Sequence, residues 1–280
     1  MLKTFSKLYK GFLILLSLPI ILSDYFCKTV GRDYNVGFFI KIALVFKMIR
    51  NNIKIISASD FLEHLIMAKT ILKIPKYLEG VVIECGSYKG GSTANLSLVC
   101  ALCNRKFEVF DSFEGLPEPS KHDKEHAVIN VKELHTYSKG AWRGGLQEVK
   151  ENISRYGKIN VCNFHVGCFN EILPKFKKKS AFIFLDVDLR DSLEACIKYL
   201  WPLLQDGCSL FTHEASHMKI ASLFFDKDWW NKNINSEPPG LVGAGSGLGL
   251  FPASGGFRSS LGYSIKNPRV SNFKELPQTG

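Results

Sequence analysis

Side chains able to move a proton or hold a cation stand at the ends of the most apolar short runs in the chain. Ala181-Phe-Ile-Phe-Leu185 leads into Asp186 and Asp188, and Cys208-Ser-Leu-Phe-Thr212 leads into His213 and Glu214. Carboxylates beside an imidazole work either as a general base or as ligands of a divalent ion, and a histidine ligand shifts the preference from Mg²⁺ towards Mn²⁺, Fe²⁺ or Zn²⁺. The alternative, in which His213 merely closes a strand, needs no chemistry. Val81-Val-Ile83 runs into Glu84 and the glycine-rich stretch Gly86-Ser-Tyr-Lys-Gly90-Gly91-Ser92, and Phe107-Glu-Val-Phe110 ends at Asp111.

These runs have the pattern of strands buried on both faces, which belong to parallel sheets covered by helices. In such sheets the carboxyl ends of the strands share one edge, where ligands bind. The glycines after Glu84 allow a tight turn and a close backbone approach, and Ser92 or Thr93 is placed to cap a helix running to about Leu102. Asp111 follows Gly86 by twenty-five residues, the geometry with which a carboxylate grips ribose hydroxyls. Three residues separate Gly86 from Gly90, where the dinucleotide fingerprint has one between its first two glycines. S-adenosylmethionine therefore fits better than NAD.

Four motifs occur in order: Glu84-Cys-Gly-Ser-Tyr-Lys-Gly-Gly-Ser-Thr93, Phe110-Asp-Ser-Phe-Glu-Gly-Leu-Pro117, Val166-Gly-Cys-Phe-Asn-Glu-Ile-Leu-Pro174 and Leu185-Asp-Val-Asp-Leu189. With them, residues 60–225 resemble the macrocin O-methyltransferase family, S-adenosylmethionine-dependent enzymes that methylate sugar hydroxyls on macrolides and related glycans. The resemblance implies a Rossmann-like class I methyltransferase fold, α/β, with a mostly parallel seven-stranded sheet and helices on both faces. It implies that Glu84, Gly86, Ser87, Gly90, Gly91 and Ser92 surround the methionine part of the cofactor. Asp111, with Ser112 and Phe113, would hold the ribose, Gly167 and Cys168 the adenine, and Asp186, Asp188 or both, at the tip of their strand, should face the methyl group. In the family, the positions of His213 and Glu214 are both acidic and, with the position of Asp186, bind a divalent metal. The resemblance thus implies Asp186, His213 and Glu214 as metal ligands for Mg²⁺ or Mn²⁺, with Asp186 and His213 as the catalytic pair. A metal bound to vicinal hydroxyls would lower the pKa of a poor nucleophile and orient its oxygen. The alternatives are a lipid or phenolic acceptor, or a catalytically silent membrane-associated binding protein on the same fold.

The chain has 280 residues, 46% of them hydrophobic, enough for one catalytic domain over 57–280 and an extension over 1–56. Of a net charge of +10, +7 belongs to the first 56 residues, which leaves the catalytic part without a phosphate-tracking surface and argues against nucleic acid. The extension holds an uncharged apolar run at 12–22, too short to span a membrane, and at 36–50 an apolar segment with basic residues, Lys47, Arg50 and the following Lys54 sharing one helical face. Both suit a cytoplasmic protein resting peripherally on the inner face of a membrane; packing on the domain or a homo-oligomer interface is the alternative. Eight cysteines without a framework of spacings fit a reducing compartment, and Cys100-x-x-Cys103 has no second pair to complete a zinc site.

A helix is expected after Ser57, capped by Ser59 or Asp60, with His64 as a packing residue. Residues 112–138 form a long loop, in which His122, His126 and His135 with Asp123 match no common ligand spacing. A helix follows at 146–156 and a strand at 159–166. Asp191 is expected to cap a helix over 192–200, and another helix over 217–228 should close at Trp229-Trp230, placed to stack on a sugar or to fill the core. Residues 248–252 and 260–265 are expected to pair as antiparallel strands, with the glycines of 243–249 in the approach.

Overall fold

The computed structural model describes residues 22–124, 137–243 and 259–268. Five strands, β1 (Val81–Cys85), β2 (Phe107–Asp111), β3 (Cys162–Val166), β4 (Ser180–Leu185) and β5 (Leu204–Thr212), pair in parallel. Two more, β6 (Val242–Gly243) and β7 (Gly262–Ile265), complete a seven-stranded sheet of order β3-β2-β1-β4-β5-β7-β6, with β7 antiparallel to both β5 and β6. The expected class I methyltransferase sheet is therefore present. Parallel strands need their backbones shielded from water on both faces, and Phe107, Phe110, Phe182 and Phe184 are fully buried within it.

The strand order reverses between β1 and β4, so right-handed crossovers place their helices on opposite faces. On one side lie α1 (Phe38–Lys54), α2 (Phe61–Lys73), α3 (Gly91–Leu102) and α4 (Leu146–Tyr156), packed on one another. α5 (Arg190–Leu200) packs on β4, and α6 (Lys227–Ile234) buries Trp230, whose indole N–H donates to the Leu223 carbonyl at 2.7 Å. Trp230 is thus core rather than sugar platform.

Local chemistry explains the boundaries. Asp60 caps α2, accepting from Leu62 N at 2.8 Å and Glu63 N at 3.0 Å, while Glu63 reaches back to Asp60 N at 3.0 Å. At α3 the expected serine or threonine cap is absent. Gly90 takes the position with φ +82°, and Ser92 bonds elsewhere. Asp191 does not cap α5, which starts at Arg190; the Arg190 N–H instead donates to Asp123, 2.9 Å away. The expected strand at 159–166 begins only at Cys162, after a 3₁₀ turn. The expected helix at 217–228 is broken into Met218–Ala221, a 3₁₀ turn and α6. Residues 248–252, His126 and His135 lie outside the described residues, and β7 finds its partners in β5 and β6.

His64 is fully buried between Ser59 Oγ and Asn95 Nδ2, each at 2.8 Å, and burial lowers its pKa to about 4, so it packs as a neutral ring. Cys100 and Cys103 are free and buried, and burial pushes the Cys103 thiol up to about 12, so both behave as small hydrophobes.

Candidate active site

The carboxyl ends of β1, β2, β3, β4 and β5 open into one cavity of about 910 Å³. Of the residues singled out in the sequence, Gly86, Ser87, Ser92, Asp111, Ser112, Gly167, Cys168, Asp186, His213 and Glu214 line it, with Asp188 and His217. Glu84, Gly90, Gly91 and Phe113 do not. Glu84 lies fully buried behind Ser92, Gly90 and Gly91 turn the chain into α3, and Phe113 packs against Val149 and Ile153.

The glycine loop is set by a near-collision. At Gly86 φ is +86°, and a Cβ there would stand 1.9 Å from the Asp186 carbonyl oxygen, because the tips of β1 and β4 cross at van der Waals distance. The loop then turns its N–H groups towards Asp111. Asp111 Oδ2 accepts from Ser87 N at 2.7 Å and Ser87 Oγ at 3.1 Å, and Oδ1 from Phe113 N at 2.7 Å. Burial raises its pKa, opposed by these donors. Glu84 sits differently. Ser92 Oγ donates to Oε1 at 2.5 Å, while Oε2 is buried with no hydrogen-bond partner. Burial drives its pKa to about 8; the hydroxyls of Ser92 and Thr93 oppose this, and the charges of Asp186 and Asp111 add to it.

At β4 and β5 the polar groups form a network. His213 Nε2 lies 3.2 Å from Glu63 Oε2 and Nδ1 3.5 Å from Asp186 Oδ1. Burial works against its charge, yet Glu63 and Asp186 outweigh it and raise the pKa well above the usual value. Glu63 is buried too, and its Oε1 accepts from Ser259 Oγ at 2.6 Å. Although burial resists ionisation, His213 and these donors hold Glu63 at about 2. Glu214 Oε1 accepts from Val187 N at 3.2 Å and Asp188 N at 2.9 Å, and Oε2 lies 3.0 Å from His217 Nδ1. Those partners lower its pKa against the effect of burial. Asp188, with φ +60°, is pushed up by burial and by its neighbours Glu214 and Asp186. Oxygens of Asp186, Asp188 and Glu214 lie within 4.8 Å of one another.

The family model described as Macrocin-O-methyltransferase (TylF) matches residues 62–234, more than half of the chain. The chain belongs to the macrocin O-methyltransferase family. It is a S-adenosylmethionine-dependent O-methyltransferase. Among solved structures, the O-methyltransferase NovP is similar at 16% identity and TM-score 0.52, covering 93% of this chain and 99% of its own. CalS11, a calicheamicin methyltransferase, is similar at 15% identity and TM-score 0.48, covering 82% of this chain and 80% of its own. At these identities the likeness to NovP is one of fold. No curated protein matches the chain by sequence.

The residues present suit the enzyme's cofactor. Asp111 lines the cavity at the tip of β2, its carboxylate held by the N–H groups of Ser87, Tyr88 and Phe113 and by the Ser87 hydroxyl, in the position from which an aspartate meets ribose hydroxyls. The unpartnered Oε2 of Glu84 lies buried behind the loop, beneath Ser92, which lines the cavity. Four non-glycine residues with left-handed backbone, Tyr88, Phe113, Trp142 and Asp188, stand at or beside the cavity. Each such conformation costs on the order of 1 kcal/mol and persists where surroundings enforce it, as at binding sites.

A divalent cation would also find ligands of the right kind, but not the set expected from the sequence. Three carboxylates, Asp186, Asp188 and Glu214, make a hard oxygen site suited to Mg²⁺ or Mn²⁺. Asp188 stands in this group where the sequence named His213, whose ring nitrogens lie 3.2 Å from Glu63 and 3.5 Å from Asp186. Sequence reasoning named Asp188 at the strand tip but not as a ligand, and it missed Glu63 and His217. Glu63 lies 150 positions from His213 and reads simply as a capping-box residue, so no local signal marks it. Tyr88, within the glycine-loop motif, and Trp142, whose neighbourhood the family resemblance places close to the cofactor, are in edge-to-face contact at 5.7 Å at the cavity wall.

Proposed function

We propose that the enzyme methylates a sugar hydroxyl on a glycan or glycosylated small molecule, with a divalent cation held by Asp186, Asp188 and Glu214. The observation that carries this reading is the juxtaposition within one cavity of the Gly86–Asp111 floor and the three clustered carboxylates. The O–C bond forms as the C–S bond of the sulfonium breaks, and the hydroxyl proton passes to a carboxylate of the cluster. A bound cation would supply Lewis acidity, lowering the hydroxyl pKa. Asp186 is tied at its backbone to β1, its N–H donating to Cys85 O at 2.9 Å, which fixes the acceptor side against the cofactor floor. His213 holds Asp186 in place from behind.

The lining favours an acceptor without phosphate. Among the described residues, nine Asp or Glu line the cavity against a single lysine, Lys139, and no arginine. Such a field attracts the sulfonium and suits an uncharged or cationic glycan, while repelling a diphosphate. The catalytic domain spans 57–280, and the first 56 residues hold the protein at the inner face of a membrane. No helix among the described residues is long and apolar enough to cross one.

Methyl transfer from labelled cofactor to neutral glycosides and to nucleotide-diphosphate sugars, with and without chelator, tests this reading. Methylated neutral glycoside, with turnover lost in chelator and restored by Mg²⁺ or Mn²⁺, is expected. Full turnover in chelator would remove the cation from the mechanism, and preference for the diphosphate sugar would overturn the acceptor assignment.

A further inference from the structure

One face of α1 is anchored to the body of the protein and the other is bare. On the inner face Leu44 and Met48 are buried, and Asn51 donates to Asn95 Oδ1 at 2.8 Å and to the Tyr156 carbonyl at 3.0 Å. Those contacts fix the helix rotationally. The outer face presents Phe39, Phe46 and Ile53 at a seven-residue spacing, 83%, 67% and 75% exposed. Phe38 and Ile56 extend the patch at its two ends. Large apolar side chains in a continuous stripe mark a surface that works against something other than water.

The charge on this stripe selects its partner. Lys47, Arg50 and Lys54 are exposed beside it, and α1 contains no aspartate or glutamate. Of the two acids upstream in the chain, Asp24 is paired with Lys69, which leaves Asp33 outside the helix. Two copies of this chain meeting through α1 would set the same basic residues against each other in a self-complementary contact with no carboxylate to offset them. Anionic lipid offers both complements at once, an apolar layer for the rings and phosphate for the cations.

We propose that the exposed face of α1 is a docking surface for an anionic membrane, with Phe39, Phe46 and Ile53 entering the interface and Lys47, Arg50 and Lys54 contacting headgroup phosphates. This rests on the reading of the first 56 residues as membrane-facing and adds to it the face that does the binding. The helix lies in the plane of the surface. Ser57 and Ala58, which follow α1 after two residues, line the catalytic cavity, so the docked helix holds the cavity rim close to the bilayer. The acceptor reaches the enzyme from that surface.

Vesicle sedimentation of the full chain tests this, using neutral phosphatidylcholine vesicles and vesicles containing phosphatidylglycerol. Wild type is expected to sediment with the anionic vesicles only, and less so as salt rises. The triple variant F39S/F46S/I53S is expected to lose at least tenfold in partitioning, and K47E/R50E/K54E more, each reversed charge weakening binding by about fivefold or more. Both variants should keep wild-type affinity for S-adenosylmethionine, and F39S/F46S/I53S also a wild-type melting profile, because its side chains face solvent, whereas R50E gives up the Arg50 contact over the Tyr156 ring at 5.4 Å. Wild-type partitioning by the triple variant would show that residues outside α1 bind the membrane and would overturn the proposal. So would a concentration-dependent dimer that the same substitutions dissolve, which would give the face to a second copy. Cofactor binding by the same samples keeps this outcome separate from any failure of the methyltransferase reading.

Discussion

Glu84 at the tip of β1 and Glu214 just past β5 are both fully enclosed by protein, yet they titrate in opposite directions. Glu84 has the Ser92 hydroxyl within hydrogen-bond distance of one oxygen and none at the other, the Thr93 hydroxyl adding only a weaker pull, and burial carries its pKa to about 8. Glu214 has two backbone N–H groups and His217, and its pKa falls. Burial costs each carboxylate several kcal/mol in its charged form, so what differs is the supply of donors. The tip of β1 thus keeps an unmet acceptor oxygen buried beneath the glycine loop. The half at β4 and β5 sets its own imidazoles, His213 and His217, among three carboxylates.

The largest effect that would break this contrast is at the crossing of the two halves. Gly86→Ala brings a methyl group into the Asp186 carbonyl and should destabilise the protein by roughly 3 kcal/mol or more, with cofactor binding abolished in calorimetry. An alanine variant that binds normally would mean the two strand tips are not held as described. Asp188→Asn should next reduce turnover by about 10²–10³-fold while cofactor affinity changes little, since this residue belongs to the acceptor half. Equal losses in turnover and cofactor affinity would erase the division between the halves. Asp111→Ala should do the reverse, weakening S-adenosylmethionine by about 100-fold through loss of an acceptor shared by Ser87 and Phe113.

Glu84 makes a smaller, pH-dependent prediction. Its folded pKa of about 8 lies above an unfolded value near 4.3, so folding without cofactor takes up a proton between those values. The stability from this group is complete below about pH 4 and is lost as pH rises through 8. Urea unfolding of the cofactor-free enzyme at pH 5 and pH 8 should therefore show a fall of a few kcal/mol, and Glu84→Gln should flatten it. An unchanged slope in the variant would refute the idea of an unmet acceptor. Smallest of all, Cys103→Ala should cost about 1 kcal/mol in stability with no change in turnover or in metal content.

The two halves also differed in how far they could be read in advance. The cofactor floor is a local matter. Apolar runs, glycine spacing and an aspartate at the next strand tip lie within thirty residues, and the parallel strands, the loop and the position of Asp111 followed from them. Ser92 could not be assigned its role so easily, because a serine at a helix start reads as a cap until Glu84 is seen behind it. The acceptor half joins segments far apart in the chain. His213 at the end of β5 reads as a metal ligand until α2 delivers Glu63 to its other nitrogen, and Asp188 gains its place through a left-handed turn that periodicity does not encode. The amphipathic character of α1 was plain, but which of its faces the protein would cover depended on the position of Asn95 in α3.

Residue order alone determined the class of fold, the strand tips at which chemistry would gather, and an adenosyl cofactor, because hydrophobic periodicity and glycine spacing act over a few neighbouring residues. Only the tertiary structure decided which carboxylates lie close together at the strand tips, that His213 sits between Glu63 and Asp186, and that Glu84 is left short of a donor. Electrostatic partnership depends on distance in space, and the sheet brings together groups that the chain keeps 150 residues apart.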